Sequence, residues 1–440
     1  MTSIDARDVP ADPTSHERLA ERGLDYRVVD PGGADFLPFF RALSRGFLDA
    51  EPTPEKEEAA APAFIERRTR AIGVFPADAA AGAMPVGTVE SWITPLTLPA
   101  AAGATGALPE IDMWAISGVT VAATHRRRGI ARAMLEGELR AAAGAGLAIA
   151  GLTVTESTIY GRYGFGMAVP VESVTVDTRR AGWIGPAADV AFEYVDRARL
   201  AEVLAQLHER VRAGRAGNVG GFPLRWRTIA GTAPGSKNGD ATRGVVARDA
   251  DGEIRGALAF RLDEGSHHAH HILAIGHLVA ETDEVRAALW RFALEHDLVG
   301  TVTAELQPVD DALPWLVADA RAVERKAFDH GWLRVLDVPR VLGARGYAAD
   351  ARVTVRVHDE LGFADGTWAV AIVDGAATVT PASGEPDIDL GVSELSSVCA
   401  GGVPLRALAA AGRVAGDPAA IAALDVALRA GRAPHLSIWY

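Results

Sequence analysis

Residues 119–132, Val-Thr-Val-Ala-Ala-Thr-His-Arg-Arg-Arg-Gly-Ile-Ala-Arg, decide the fold. Ahead of them Met113–Val121 alternates and is rich in Trp, Ile and Val, as a strand is. Behind them Ile130, Met134, Leu135 and Leu139 recur at helical spacing across Gly129–Ala143, and Gly144 supplies a stop. The turn between strand and helix is the form a diphosphate requires: main-chain N–H groups converge there, and the positive end of the helix dipole faces the anion. Gly129 and Ala131 leave room for phosphate oxygens to reach the amides, and Gly129 is free to take a backbone conformation closed to most residues. Arg126, Arg127 and Arg128 concentrate positive charge at that spot, and Arg132 joins them one turn into the helix.

Working outward, Leu147–Thr155 is again strand-like, Ser157 or Thr158 is placed to cap a short helix carrying Tyr160, and Ile159-Tyr-Gly-Arg-Tyr-Gly-Phe165 closes the unit. Upstream the pattern predicts a strand at Leu24–Val29, helices over Asp35–Asp49 and Ala61–Ala71, strands toward Trp92, and a small-residue loop from Pro99 to Pro109. Downstream a helix at Ala201–Arg212 and a break at Gly231–Gly239 precede strands Gly244–Arg248, Arg255–Leu262 and Ile272–Val279, helix Asp283–His296 and strand Thr301–Leu306. Strand, strand, helix, strand in this order repeats the layout of residues 86 to 155, which predicts a duplicated domain. The second copy carries Ala280-Glu-Thr-Asp-Glu284 where the first has its arginine turn, so it is expected to be structural. From Gly346 the texture changes to strands Arg352–His358, Gly366–Val373 and Ala376–Thr380, then helices around Val403–Ala410 and Pro418–Ala430, a third α+β unit. The end, Leu436-Ser-Ile-Trp-Tyr440, is apolar and is expected to be buried.

A chain of 440 residues is too long for one core. A formal charge of −13 argues against nucleic acid or an anionic membrane as partner and favours cationic small molecules. The start lacks an apolar leader and no run is long enough to span a bilayer, so a cytoplasmic protein is expected. The single cysteine, Cys399, lies in an apolar stretch; it rules out an intramolecular disulfide or a multi-cysteine metal site and reads as a buried small hydrophobe rather than a nucleophile. Acyl transfer would then proceed without a cysteine acyl-enzyme. His267-His-Ala-His-His271 offers imidazoles, but alternation along a strand leaves little closure around an ion, and no metal is expected.

Val119–Gly129, Thr155-Glu156, Ile159–Gly166, Gly331-Trp-Leu-Arg-Val-Leu-Asp-Val-Pro339 and the aromatic final residue together resemble the Eis (enhanced intracellular survival) branch of the GNAT acetyltransferases, along the whole chain. The resemblance implies an α/β (α+β) fold: a catalytic GNAT domain at 1–168, a degenerate second one at 169–335, both with mixed central sheets, and a sterol-carrier-protein-like domain at 336–440. It implies acetyl-CoA as co-substrate, no metal, amine acceptors that include aminoglycoside antibiotics, hence a link to resistance, and a homohexamer. It places Val119, Thr120 and Val121 on a splayed strand beside the pantetheine arm, and Arg126, Arg127, Arg128, Gly129, Ile130, Ala131 and Arg132 around the pyrophosphate. Thr155 and Glu156 line the cofactor, Tyr160 is the general acid, and the terminal carboxylate of Tyr440 receives the amine's proton.

Those roles make chemical sense. A phenol of pKa about 10 can protonate a thiolate whose thiol has a pKa of about 8.5, while a terminal carboxylate near about 3.5 acts through water or by holding the ammonium. Gly118 and Trp439 stand where aminoglycoside-acetylating members have an aromatic and an acidic residue, so the pocket is expected to be less acidic, ringed by Trp439, Trp114 and Trp92, with Asp49, Glu51 and Glu90 as surface carboxylates. Two rival readings stay open: a lysine acetyltransferase acting on proteins, and a non-enzymatic acyl-CoA or lipid-binding protein.

Overall fold

The computed structural model describes residues 4–265 and 270–440. Its first part runs through α1 (Pro13–Ala20), β1 (Leu24–Val29), α2 (Phe36–Gly46), α3 (Pro54–Glu66), β2 (Arg70–Pro76), β3 (Gly87–Thr97), β4 (Glu110–Val121), α4 (Ile130–Gly144), β5 (Ile149–Thr153) and β6 (Gly166–Asp177). The second continues with α5 (Thr178–Ala181), β7 (Ala191–Val195), α6 (Arg197–Arg212), α7 (Pro223–Ile229), β8 (Arg243–Arg248), β9 (Ile254–Asp263), β10 (His271–Ala280), α8 (Asp283–Leu294), β11 (Val299–Gln307) and β12 (Val323–Val335). The third holds α9 (Val338–Ala344), β13 (Ala351–His358), β14 (Gly366–Val373), β15 (Ala376–Pro381), β16 (Ile388–Gly391), α10 (Val392–Val398), α11 (Leu405–Ala410), β17 (Val414–Gly416) and α12 (Pro418–Leu428).

Short polar side chains set several of these starts. Asp12 caps α1 through Ser15 N (2.7 Å), Asp196 caps α6 through Arg199 N (2.9 Å), and Asp417 caps α12 through Ala420 N (2.9 Å), each satisfying an amide the helix leaves free. The helix expected over Ala61–Ala71 corrects to α3: Arg68 has a positive φ of 55°, which ends the helix, and the β-branched and aromatic run after it forms β2.

Among the described residues twelve strands form one sheet in the order β1-β2-β3-β4-β5-β12-β6-β11-β10-β9-β8-β7. All neighbours are antiparallel except β4 with β5 and β10 with β11, and a helix crosses over within each parallel pair, α4 in one and α8 in the other. The duplication expected from the sequence is therefore present, with an exchange: β12, the last strand of the second copy, inserts beside β5 of the first, while β6 lies against β11 of the second. The third unit has its own five-stranded sheet, β15-β14-β13-β16-β17. Its core is continuous with that of the other two through Leu333, Val335 and Val338. Among the described residues no helix is long and apolar enough to cross a membrane.

Candidate active site

The two parallel strands of the first copy separate. Pairing of β4 with β5 covers Trp114–Ile116 and stops, so residues 117–121 and the chain after Thr153 diverge. A bulge sharpens the divergence: Thr88 faces Thr120 and Glu90 faces Ser117, so Val89 opposes both Gly118 and Val119. Gly118 takes a φ of +62°, and a Cβ there would stand 2.9 Å from Cγ of Glu90, which is why an aromatic is not accommodated at this position. The hydroxyl of Thr88 donates to the Gly118 carbonyl (2.9 Å) and meets that of Thr120 (2.7 Å), pinning the bulge from the buried side. Val119 and Val121 are half-buried along the gap.

The gap leads to the arginine turn. Arg127 (φ 61°) and Gly129 (φ 74°) both have left-handed backbone, and for the arginine that conformation is a local strain of about 1 kcal/mol or more. The first intrahelical bond of α4 runs from Ala133 N to the Gly129 carbonyl (3.0 Å), so the amides of Ile130, Ala131 and Arg132 have no partner within the helix. Arg126, Arg127, Arg128 and Arg132 are exposed around them, as are Thr155 and Glu156 beyond the end of β5. Sequence reasoning missed Arg22, whose Nη1 donates to the Arg128 carbonyl at 2.5 Å from a turn 106 residues upstream; nothing local in the sequence signals that approach.

Tyr160 sits at the start of a 3-10 turn, Gly161–Tyr163, and not within a helix capped by Ser157 or Thr158 as expected; Gly164, at φ 84°, ends the turn after one cycle. The phenol is 9% exposed, packs edge-on against Phe165 (6.2 Å), and is held above its ordinary pKa by burial and then by the charge of Glu156. The chain end is buried as expected: Leu436, Ile438 and Tyr440 all point inward. The main-chain oxygen of Tyr440 accepts from Oγ1 of Thr153 (2.8 Å), which brings the C-terminal group to the last residue of β5, where the strands part. The Tyr440 ring packs edge-on to Trp92 (5.7 Å), and burial pushes its phenol well up.

Two acceptor-side expectations are corrected. Trp114 is fully enclosed, with Nε1 donating to Glu138 on α4 (3.2 Å), so it lines the core of the first copy and not a pocket. Glu90 is no surface carboxylate; it is buried and bound by Nη2 of Arg67 at 2.5 Å. Asp49 and Glu51 are exposed. Trp439 meets His330 edge-on at 4.4 Å. Cys399 is buried and its thiol is pushed up to about 12 by burial, which leaves it unreactive as read. Of the histidine cluster, His267 and His268 lie outside the described residues, and among the described residues no group of side chains is arranged to hold a metal.

The tail has a pH-sensitive support. Nε2 of buried His330 donates to the Ile438 carbonyl (3.0 Å), and burial drives this imidazole down to about 4. In the unfolded chain it takes up a proton near 6.5 that the folded state refuses. Its contribution is thus whole above about pH 6.5 and is lost as the pH falls toward 4, by about 3 kcal/mol at the limit. Between pH 7.5 and pH 5, urea unfolding should show a loss of stability smaller by about 2 kcal/mol in a His330→Gln variant than in the wild type, the buried His277 and His435 contributing to both; equal losses in both proteins would refute it.

A splayed parallel pair, a bulge, and a turn of free amides opening a helix define an N-acetyltransferase of the GNAT class, and comparison with known proteins agrees. Residues 31–168 and 217–335 each match the acetyltransferase (GNAT) domain family, and 338–437 match the sterol carrier protein domain family. An uncharacterized N-acetyltransferase of Streptomyces griseus is 34% identical over 425 residues, covering 93% of this chain and 98% of that protein. The N-acetyltransferase Eis of Mycobacterium tuberculosis is 30% identical over 308 residues, 68% of this chain and 73% of Eis. The crystal structure of Eis1 from Mycobacterium abscessus superposes with a TM-score of 0.77 at 29% identity, covering 95% of this chain and 100% of Eis1. The chain belongs to the Eis family of N-acetyltransferases, with two GNAT domains and a C-terminal sterol-carrier-type domain. GNAT domains imply acetyl-CoA as the acetyl donor.

Proposed function

We propose that the protein transfers the acetyl group of acetyl-CoA to the amine of a small molecule at the gap between β4 and β5. The observation that supports this most is the gap itself, opening at one end onto the left-handed turn at Arg127 and Gly129 and at the other onto the chain terminus. The amides of Ile130, Ala131 and Arg132, with Arg126, Arg127 and Arg128 around them, hold the pyrophosphate. Val119, Thr120 and Val121 pair along the pantetheine, and Thr155 and Glu156 flank it. The carboxylate of Tyr440, fixed by Thr153, orders the incoming ammonium and relays its proton through water. Tyr160 gives a proton to the departing thiolate, and burial keeps that phenol in its protonated form until it is needed. Most of the acceleration comes from holding amine and thioester together.

On this reading residues 1–168 are the catalytic unit, 169–335 a second copy with an acidic turn that binds no CoA, and 336–440 the unit that delivers the carboxylate, in a cytoplasmic homohexamer. Release of free thiol from acetyl-CoA by the purified chain, with polyamines, aminoglycosides and lysine peptides as acceptors, tests it. Turnover with small amines is expected, and its absence with all acceptors would overturn the proposal. A chain extended by a few residues past Tyr440 should lose at least about tenfold in kcat while keeping its affinity for CoA. Unchanged kcat would remove the terminal carboxylate from the mechanism.

A further inference from the structure

The wall beside the gap can be followed outward from residue to residue. Glu90 faces the Gly118 bulge and is bound by Arg67. The Arg67 guanidinium lies over the rings of Trp92 (4.1 Å) and Phe222 (5.0 Å), and Trp92 carries Tyr440 on its edge. Arg225, on α7, closes the series, its guanidinium 5.7 Å from the Phe222 ring centre.

The charges along this wall do not balance among the side chains. Arg67 already satisfies Glu90. Arg225 has no carboxylate side chain within ion-pair distance among the described residues, and its Nε is enclosed with no hydrogen-bond partner. Burial and the proximity of Arg67 lower this guanidinium to about 10, and the same charge helps to hold His330 and His277 neutral. His277 Nε2 and His330 Nδ1 are likewise enclosed and unpartnered. A desolvated guanidinium without a counter-charge is costly unless something supplies one, and the strongest partner for its planar fork is a pair of anionic oxygens.

We infer that the acetyl acceptor carries an anionic oxygen group in addition to its amine, and that this group pairs with Arg225 while the amine meets the thioester. The inference rests on the acetyl-transfer reading above and narrows it: the preferred acceptor is zwitterionic, and polycations such as aminoglycosides are disfavoured. Arg225 is then a specificity-determining residue. It touches the acceptor's anion, while the acetyl transfer proceeds at the other end of the same molecule.

The test is a matched series: ω-amino carboxylates of increasing length, aminoalkyl phosphonates, alkylamines and diamines, each assayed for thiol release with acetyl-CoA. The full-length protein should prefer an anionic acceptor over the alkylamine of equal length by about tenfold or more in kcat/KM. The carboxylate and phosphonate arms distinguish the two sources of anionic oxygen. Arg225→Gln should lower kcat/KM for the anionic acceptors by about tenfold or more and so erase the preference over the alkylamine, and Arg225→Glu should shift the preference toward the diamine. A second readout is the melting temperature without ligand, which should rise in Arg225→Gln because a half-buried charge with an enclosed, unpartnered Nε has been removed. Turnover of alkylamines and diamines equal to that of the anionic series would leave acetyl transfer standing and overturn the inference. A fall in both Tm and turnover of every acceptor in Arg225→Gln would do the same, by showing that Arg225 serves the protein's own terminal carboxylate. No thiol release with any of the four classes would overturn both readings.

Discussion

Tyr160→Phe should lower kcat by about two to four orders of magnitude, with the affinity for acetyl-CoA changed by less than about twofold. The substitution removes one oxygen from a side chain that is 9% exposed and keeps the ring that packs against Phe165, so the fold has no reason to respond. On the proposed mechanism what is lost is the proton donor to the departing thiolate, whose expulsion then depends on water. The pH profile gives a second signature. Burial and Glu156 both raise the phenol above its ordinary value of about 10, so the wild-type kcat should hold to higher pH than an unperturbed tyrosine permits, and the small residual rate of the phenylalanine variant should show no such alkaline limb. Stopped assays across pH 7 to 11 with saturating acetyl-CoA decide the matter, and a variant within threefold of wild type would remove the phenol from the chemistry.

Elements whose signals are local were legible in the sequence, and those set by distant pairing were not. β1 and β14 occupy the residues that alternation assigned to them, and α4 begins one residue after the glycine that opens its turn. The second GNAT copy also showed, because the order strand, strand, helix, strand repeats even where the turn has changed. The exchange of β6 and β12 did not, since alternating strands of this kind pair equally well with several neighbours and the choice is made by packing far along the chain. Trp114 was misplaced for a more specific reason. Side-chain parity along β4 is interrupted by the bulge at Gly118 and Val119, so Trp114 and Ile116 share a core with Val119 and Val121, three residues on from Ile116 instead of two. The sequence does not mark that bulge, so the face Trp114 takes is not readable from alternation along β4. The burial of Glu90 and the enclosed Nε of Arg225 escaped notice because the surroundings of a charged residue are invisible until its neighbours are known. α7, by contrast, carried a readable sign, Pro223 at the first helical position after a Gly-Gly-Phe break.

Arg334→Met should cost about 3–5 kcal/mol of stability, the largest effect expected of any single change remote from the chemistry. Arg334 lies on β12 with none of its side chain exposed, and its three nitrogens reach three parts of the molecule: Nη2 binds Asp359 (2.6 Å) in the sterol-carrier-type unit, Nε donates to the Tyr163 carbonyl (2.6 Å) in the first GNAT copy, and Nη1 donates to Val335 on its own strand (2.6 Å). Methionine fills much of the volume but leaves the Asp359 carboxylate, 2% exposed, with only the amides of Leu361 and Ala364 as donors among the described residues. An uncompensated buried charge is what makes breaking such a pair expensive. Removing both charges should therefore recover most of the loss: the double variant Arg334→Met with Asp359→Leu should be more stable than Arg334→Met alone, and a double-mutant cycle in urea measures the coupling. The same guanidinium holds the carbonyl three residues past Tyr160, so kcat of the single variant should also fall, and the double variant should recover stability without recovering that rate. A single variant that costs less than about 1 kcal/mol, or a double variant less stable than the single, would show that the units are held together by their shared apolar core and not by this pair.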